Sequence, residues 1–312
     1  MKVFFLFSGL LGALALVEIA LRVGYGFGNP PLYIGDDRIG YLLAPNQRVK
    51  RFGNRIEINA YSMRAKAIAP KPSPGTLRLF LLGDSLSNGG WWTDQKDVLS
   101  YRIAHYLQLH LPSPYQTVEA LNASANSWGP RNELAYLERY GLFDSTVLVL
   151  MLNTDDLFGT LPTPLPVGRD RSYPDRKPVC AIAEVLNRYF KKNQPILGLK
   201  EIQNEGGDRV GKNLTAIDGI RQKVGDDGGQ FVLVLSPLKR EISGPREYEL
   251  VARQRLKDWA ADADVLYLDL LETYQAHLPH PDELYRDHIH LSSQGNELVG
   301  EAIAEAIGTL SF

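Results

Sequence analysis

Five short apolar runs punctuate the chain, at 77–82, 118–122, 147–152, 231–235 and 265–270, with turn-forming residues or helical patterns between them. Runs of five or six residues are too short for helices and read as buried strands. The intervals between them carry helical spacing at 96–110, 131–140, 209–224, 245–261 and 293–307. Alternation of strand and helix implies crossover connections and a parallel sheet, and largely apolar strands imply that both sheet faces are covered. The expected fold is α/β, a three-layer α/β/α flavodoxin-like domain on a five-stranded parallel sheet. Function in such a fold belongs at the carboxyl ends of the strands.

The first 26 residues follow another pattern. Val3 to Val17 are uncharged, Lys2 precedes them, Glu18 interrupts, and Ile19 to Phe27 resume with Arg22 alone. We read 1–26 as an uncleaved signal-anchor with the body outside the cytoplasm, and a cleaved signal peptide as the second reading. Residues 27–75 form a turn-rich, hairpin-like extension, with strand pieces at 47–52 and 55–60 and an Ala/Pro/Lys linker at 65–75. The main domain covers 76–312 and holds a long proline-rich, basic insertion at 157–199. Long structureless loops in compact domains are usually functional, so the insertion is expected to form a lid or substrate rim.

At 312 residues and 44% hydrophobic content the chain can bury a large core. Its formal net charge is −2 and no Lys/Arg-rich run of the nucleic-acid kind occurs, so a nucleic-acid partner is not expected. Cys180 is the single cysteine, which excludes an intrachain disulfide.

Polar residues gather where the strand runs stop. The first ends in Gly83-Asp84-Ser85-Leu86-Ser87-Asn88-Gly89-Gly90, the second in Asn122-Ala123-Ser124-Ala125-Asn126-Ser127-Trp128-Gly129, and the third in Asn153-Thr154-Asp155-Asp156. Asp287-His288-Ile289-His290 stands just before the last helix. Turn chemistry explains Gly, Asp and Ser at any one strand end, but not polar clusters at four ends of one sheet. A serine where a buried strand turns toward a helix can expose its hydroxyl and aim its own N–H at a developing oxyanion. The stretch is not a Gly-x-Ser-x-Gly elbow, because Ser87 stands where that motif has glycine.

Gly83-Asp84-Ser85-Leu86 together with Asp287-x-x-His290 resembles the SGNH (GDSL-type) hydrolases, over about 77–312. Ile58-Asn59-Ala60-Tyr61-Ser62-Met63-Arg64 resembles the membrane-tethered members linked to bacterial surface polysaccharides. The resemblance implies an ester hydrolase in which Ser85 is the nucleophile, His290 the general base and then acid, and Asp287 the group that orients and steadies the imidazole. It also implies an oxyanion hole made by a glycine N–H from the second block and an asparagine amide from the third. Here the sequence departs from the pattern. Ser127 holds the glycine position, with Gly129 two residues on, and Asp155 holds the asparagine position, with Asn153 two residues before it. A backbone N–H survives the change to serine. A carboxylate opposes an oxyanion, and loss of one donor costs about 10²–10³ in rate. The candidate oxyanion residues are therefore Ser85, Ser127, Gly129, Asn153 and Asp155.

Trp91, Trp92 and Trp128 flank the site loops, and indole faces stack on sugar rings while the N–H bonds to hydroxyls. His277, His280, His288 and His290 lie close to Asp282, Glu283 and Asp287, but Pro279 and Pro281 prevent a helical His-x-x-x-His face, and no metal or cofactor is expected. His105 and His110 read as surface residues. The expected partners are an acylated carbohydrate or other small ester, and a membrane through the N-terminal helix. Three functions stay open: a serine esterase acting on an extracytoplasmic glycan, an O-acyltransferase using the same triad, and a catalytically weak carbohydrate-binding or assembly protein.

Overall fold

Three aliphatic strands stack in the middle of the domain because their side chains alternate between two dry cores. The computed structural model describes residues 2–192, 194–276 and 281–312. Strands β1 (Thr76–Gly83), β2 (Thr117–Ser124), β3 (Val147–Asn153), β4 (Gln230–Ser236) and β5 (Leu266–Asp269) form one parallel sheet in the order β2-β1-β3-β4-β5. Leu77, Leu79 and Leu81 of β1 face one core, and Phe80 and Leu82 face the other. β3 and β4 alternate in the same way, as the two-residue period of a strand requires.

Helices α1 (Leu99–Leu109), α5 (Leu270–Ala276) and α6 (Ser293–Gly308) cover one face, and α2 (Pro130–Tyr140), α3 (Arg209–Asp226) and α4 (Glu247–Asp262) the other. Ser292 caps α6, its hydroxyl accepting from the Gly295 N–H at 3.1 Å. The fold is the expected flavodoxin-like one. Strand order reverses between β1 and β3, so the switch point lies where Ser85 leaves the sheet.

Residues before β1 pack into the α2–α4 core. Two hairpins, Tyr33–Asp36 with Gly40–Leu43 and Gln47–Arg51 with Asn54–Ile58, contribute Tyr41, Leu42, Ile56 and Ile58 to it. The first hairpin lacks the simple alternation that marks the second, and its strand pairing shows only in the tertiary structure. Arg64 is fully buried, and its guanidinium donates to the carbonyls of Asn88, Gly90 and Thr93. The motif around position 64 thus braces the loop that follows Ser85.

The insertion is more ordered than a bare loop. It carries a helix at Ala181–Phe190, and the Pro174 carbonyl accepts from the Tyr33 N–H at 2.8 Å, tying it to the first hairpin. At the N-terminus, Lys2–Ala20 is helical, and Phe4–Tyr25 is long and apolar enough to cross a membrane by length and composition.

Candidate active site

Ser85 opens a single helical turn, Ser85–Asn88, directly after β1. Asp84 starts that turn, its Oδ1 accepting from the Leu86 N–H at 2.8 Å. Gly83 is required by close approach: a Cβ there would sit 2.5 Å from Ser87 Oγ and 2.6 Å from the Met151 carbonyl oxygen. From the far end of the chain, the turn before α6 brings His290 Nε2 to 2.9 Å from Ser85 Oγ, across 205 residues of sequence. His290 Nδ1 lies 2.9 Å from Asp287 Oδ2 and 3.1 Å from Oδ1. An ionised carboxylate only accepts, so Nδ1 carries the proton and Nε2 is left to accept from the serine hydroxyl. Burial pushes the Asp287 carboxyl up, but the N–H groups of His290 and Ile289 and the imidazole outweigh it and hold it at about 2. A hydroxyl bonded to a base that a carboxylate orients is the arrangement of an activated nucleophile.

Behind Ser85 the chemistry is different. Asp84 Oδ2 lies 3.3 Å from Ser85 Oγ and accepts from Asn153 Nδ2 at 3.0 Å. The same Nδ2 donates to Asp156 Oδ2 at 2.8 Å, and the Asn153 N–H reaches that oxygen at 2.8 Å. Both amide hydrogens of Asn153 are thus engaged by carboxylates. The Gly129 N–H is engaged too, donating to Asn132 Oδ1 at 3.1 Å to start α2. Asp155 is exposed and lines the cavity beside Ser85, so the third loop presents a carboxylate where the resemblance leads one to expect an amide. Ser127 also lines the cavity, at φ +56°, a left-handed backbone that favours glycine. Among the residues named for oxyanion binding, the Ser127 backbone amide makes no hydrogen bond among the described residues, while the Ser85 N–H leans on the Asp84 carboxylate beside it.

The cavity has a volume of about 720 Å³ and is walled by Ser85, His290, Asn126, Ser127, Thr160 and Tyr173, among others. The GDSL-like Lipase/Acylhydrolase family pattern matches residues 81–298, more than half of the chain. The chain belongs to that family. A catalytic mutant of an acetylxylan esterase from Geobacillus stearothermophilus shares 14% identity with it, at a TM-score of 0.50, over 77% of this chain and 97% of that one. A lipolytic G-D-S-L protein of Veillonella parvula shares 13%, at 0.45, over 75% and 99%. The lipase/acylhydrolase of Enterococcus faecalis shares 14%, at 0.45, over 74% and 95%. No curated protein matches the chain. At these identities the likeness is one of fold.

In this GDSL-type chain the three named tryptophans occupy different places. Trp92 lines the cavity with its ring 4.7 Å from that of His290, and the Arg286 guanidinium stacks on it at 4.4 Å. Gly90 makes room, since a Cβ there would meet the Trp92 ring at 2.5 Å. Trp91 packs on Phe52 at 4.7 Å. Trp128 is buried, its N–H donates to the Tyr41 carbonyl at 2.9 Å, and it forms part of the cavity wall with its indole N–H already engaged. Sequence reasoning missed Tyr41 and Tyr173, whose hydroxyls bond the Asn126 carbonyl at 2.7 Å and Ser127 Oγ at 3.1 Å. No local signal marks either residue. Each comes from a segment that reaches the site only through the tertiary fold. Among the described residues no cluster of three or more potential metal ligands forms, His105, His110 and His288 are exposed, and His277 and His280 lie outside the described residues.

Proposed function

We propose that the chain is a serine-dependent carboxylic ester hydrolase that removes acyl groups from an extracytoplasmic carbohydrate. The contact that carries this reading is Ser85 Oγ to His290 Nε2 at 2.9 Å, with Asp287 behind the ring. As Oγ attacks the ester carbonyl, its proton passes to Nε2. Collapse of the tetrahedral intermediate returns that proton to the leaving alcohol and leaves an acyl group on Ser85. Water then attacks, His290 takes its proton and returns it to Oγ, and the acid departs. The amides of Ser85 and Ser127 would meet the oxyanion. Hydroxyls and amides along the cavity wall, with the Trp92 ring beside them, suit a sugar. The apolar N-terminal helix supports a membrane-held chain with this domain outside the cytoplasm.

A second reading, a glycan-binding protein of low hydrolytic rate, is favoured by the inward-turned Asn153 amide and the Asp155 carboxylate in the cavity. A fluorophosphonate probe on the full chain in detergent separates the two. The first requires a label that disappears in Ser85→Ala, together with acid release from an acylated oligosaccharide. A folded chain that takes no label is a binding protein. Acyl groups appearing on an added acceptor glycan, in place of free acid, would make it an O-acyltransferase.

A further inference from the structure

The insertion helix Ala181–Phe190 is built inside out. Its charged residues face the protein: Glu184 is buried, pairs with Arg51 at 2.7 Å, and accepts from the Gly28 N–H at 2.6 Å. Its largest apolar residues face outward, with Leu186 53%, Tyr189 63% and Phe190 78% exposed, and Val179 just ahead 97% exposed. Positions 186, 189 and 190 share one helical face. Contiguous apolar exposure of this kind marks a contact surface.

The N-terminal helix shows what the surface meets. Glu18 sits at the end of its uncharged run and accepts from the N–H groups of Ala181 at 2.8 Å and Ile182 at 3.0 Å. The insertion helix is therefore bonded to the anchor at the level of Glu18. Val3 to Val17 span about 22 Å at ~1.5 Å per residue, short of the roughly 30 Å hydrocarbon thickness. A bilayer crossed by this helix has to rise to the level of Glu18 and Arg22, where the outward face of the insertion helix sits.

Charge agrees with this placement. Between 169 and 192 the chain has seven basic residues and three acidic ones, in a protein of net charge −2. Lys191 and Lys192 close the helix just after Phe190, and with Arg169, Arg176 and Lys177 they line a cavity of about 580 Å³ on the side of the helix that carries Glu184. Apolar and aromatic side chains flanked by Lys and Arg are the composition of a helix lying in a headgroup layer, and basic residues near the surface are drawn to anionic lipid.

We propose that this face of the insertion docks on an anionic bilayer beside the anchor, with Leu186, Tyr189 and Phe190 entering the acyl boundary and Lys191 and Lys192 at the helix end meeting lipid phosphates. The inference rests on the Phe4–Tyr25 helix spanning the membrane. Docking at a second point would fix the orientation of the cavity relative to the surface.

A nitroxide at position 190 tests it. The full chain carrying Cys180→Ser and Phe190→Cys is reconstituted into phosphatidylcholine vesicles with and without phosphatidylglycerol. Serine keeps the cap that Cys180 Sγ provides to the Ala183 N–H. The control label is Leu109→Cys, exposed at the end of α1 near the start of β2. With anionic lipid, the label at 190 is expected to lose several-fold in collision rate with a water-soluble nickel chelate and to gain with oxygen, while the label at 109 stays aqueous. Lys191→Glu with Lys192→Glu should return the 190 label to water without changing hydrolysis of a soluble ester. Equal water exposure at 190 and 109 in a chain that resists carbonate extraction overturns the docking and leaves the anchor standing. Release by carbonate overturns both. Binding of a soluble polyanionic glycan through Lys191 and Lys192, with label 190 aqueous on vesicles, would overturn the bilayer assignment in favour of a glycan surface.

Discussion

Carboxylates flank Ser85 on two sides, and the two sides behave in opposite ways. Asp287 lies near the surface, receives two backbone N–H groups and the imidazole, and is held ionised down to about 2. Asp84 and Asp156 are buried at the cavity wall, and behind them is Glu133, which is 0% exposed and has no hydrogen-bond partner for either oxygen among the described residues. Burial pushes all three upward, and their mutual repulsion adds to it for Asp156 and Glu133. The same functional group is thus held low where N–H donors and the imidazole outweigh burial, and driven upward where burial and neighbouring carboxylates outweigh the donors it has. In this reading one side does chemistry on Ser85, and the other holds the loops that carry it.

The sharpest way to break that contrast is substitution on each side. Asp287→Asn should lower kcat on an acyl ester by about 10⁴, because the imidazole loses its orienting acceptor. Asp156→Asn should change it little, since the new amide oxygen can take the place of Oδ2 as the acceptor for Asn153. Comparable losses in both would end the distinction.

Acidity gives the next test. Asp287 is depressed, so its contribution to stability is present above the unfolded carboxylate value of about 4 and is lost as pH falls toward 2. Asp84, Asp156 and Glu133 are raised, so theirs is fully present below about 4 and declines as pH rises through their folded values. Denaturant unfolding of the full chain should therefore show greatest stability in mild acid, with a fall toward neutral pH. Glu133→Met should flatten that fall and raise stability at neutral pH by about 1–3 kcal/mol, the cost of an unsatisfied buried polar group. An unchanged slope would mean that Glu133 has partners in solution.

The smallest effect belongs to Ser127. Replacement by glycine should relieve the left-handed strain, stabilising by about 1 kcal/mol, and should leave kcat nearly intact if the backbone amide is what serves the oxyanion. A large fall in kcat would show that the Ser127 hydroxyl, held by Tyr173, is the group that matters.

Much of the fold was legible in one dimension. All five strands and five of the covering helices lie close to where periodicity puts them, although α1 begins at Leu99 and not at 96, and a single turn intervenes after Ser85. Ser85, Asp287 and His290 stood out because their turns are local features with fixed residue requirements. The disposition of the oxyanion loops was not legible. Nothing near Asn153 in the chain says that its amide will face Asp84, a contact across 69 residues.

Local sequence set the order of strands and helices, the sheet edge at which chemistry would sit, and the residues able to carry it. These follow from side-chain period and turn stereochemistry, which act over a few neighbouring residues. Long-range packing settled which amides remain available, that Glu133 is buried without donors, how Arg64 braces the Trp92 loop, and that the insertion helix turns its largest apolar residues outward. Each of those depends on burial and on hydrogen-bond partners from distant segments, and neither exists until the chain has closed on itself.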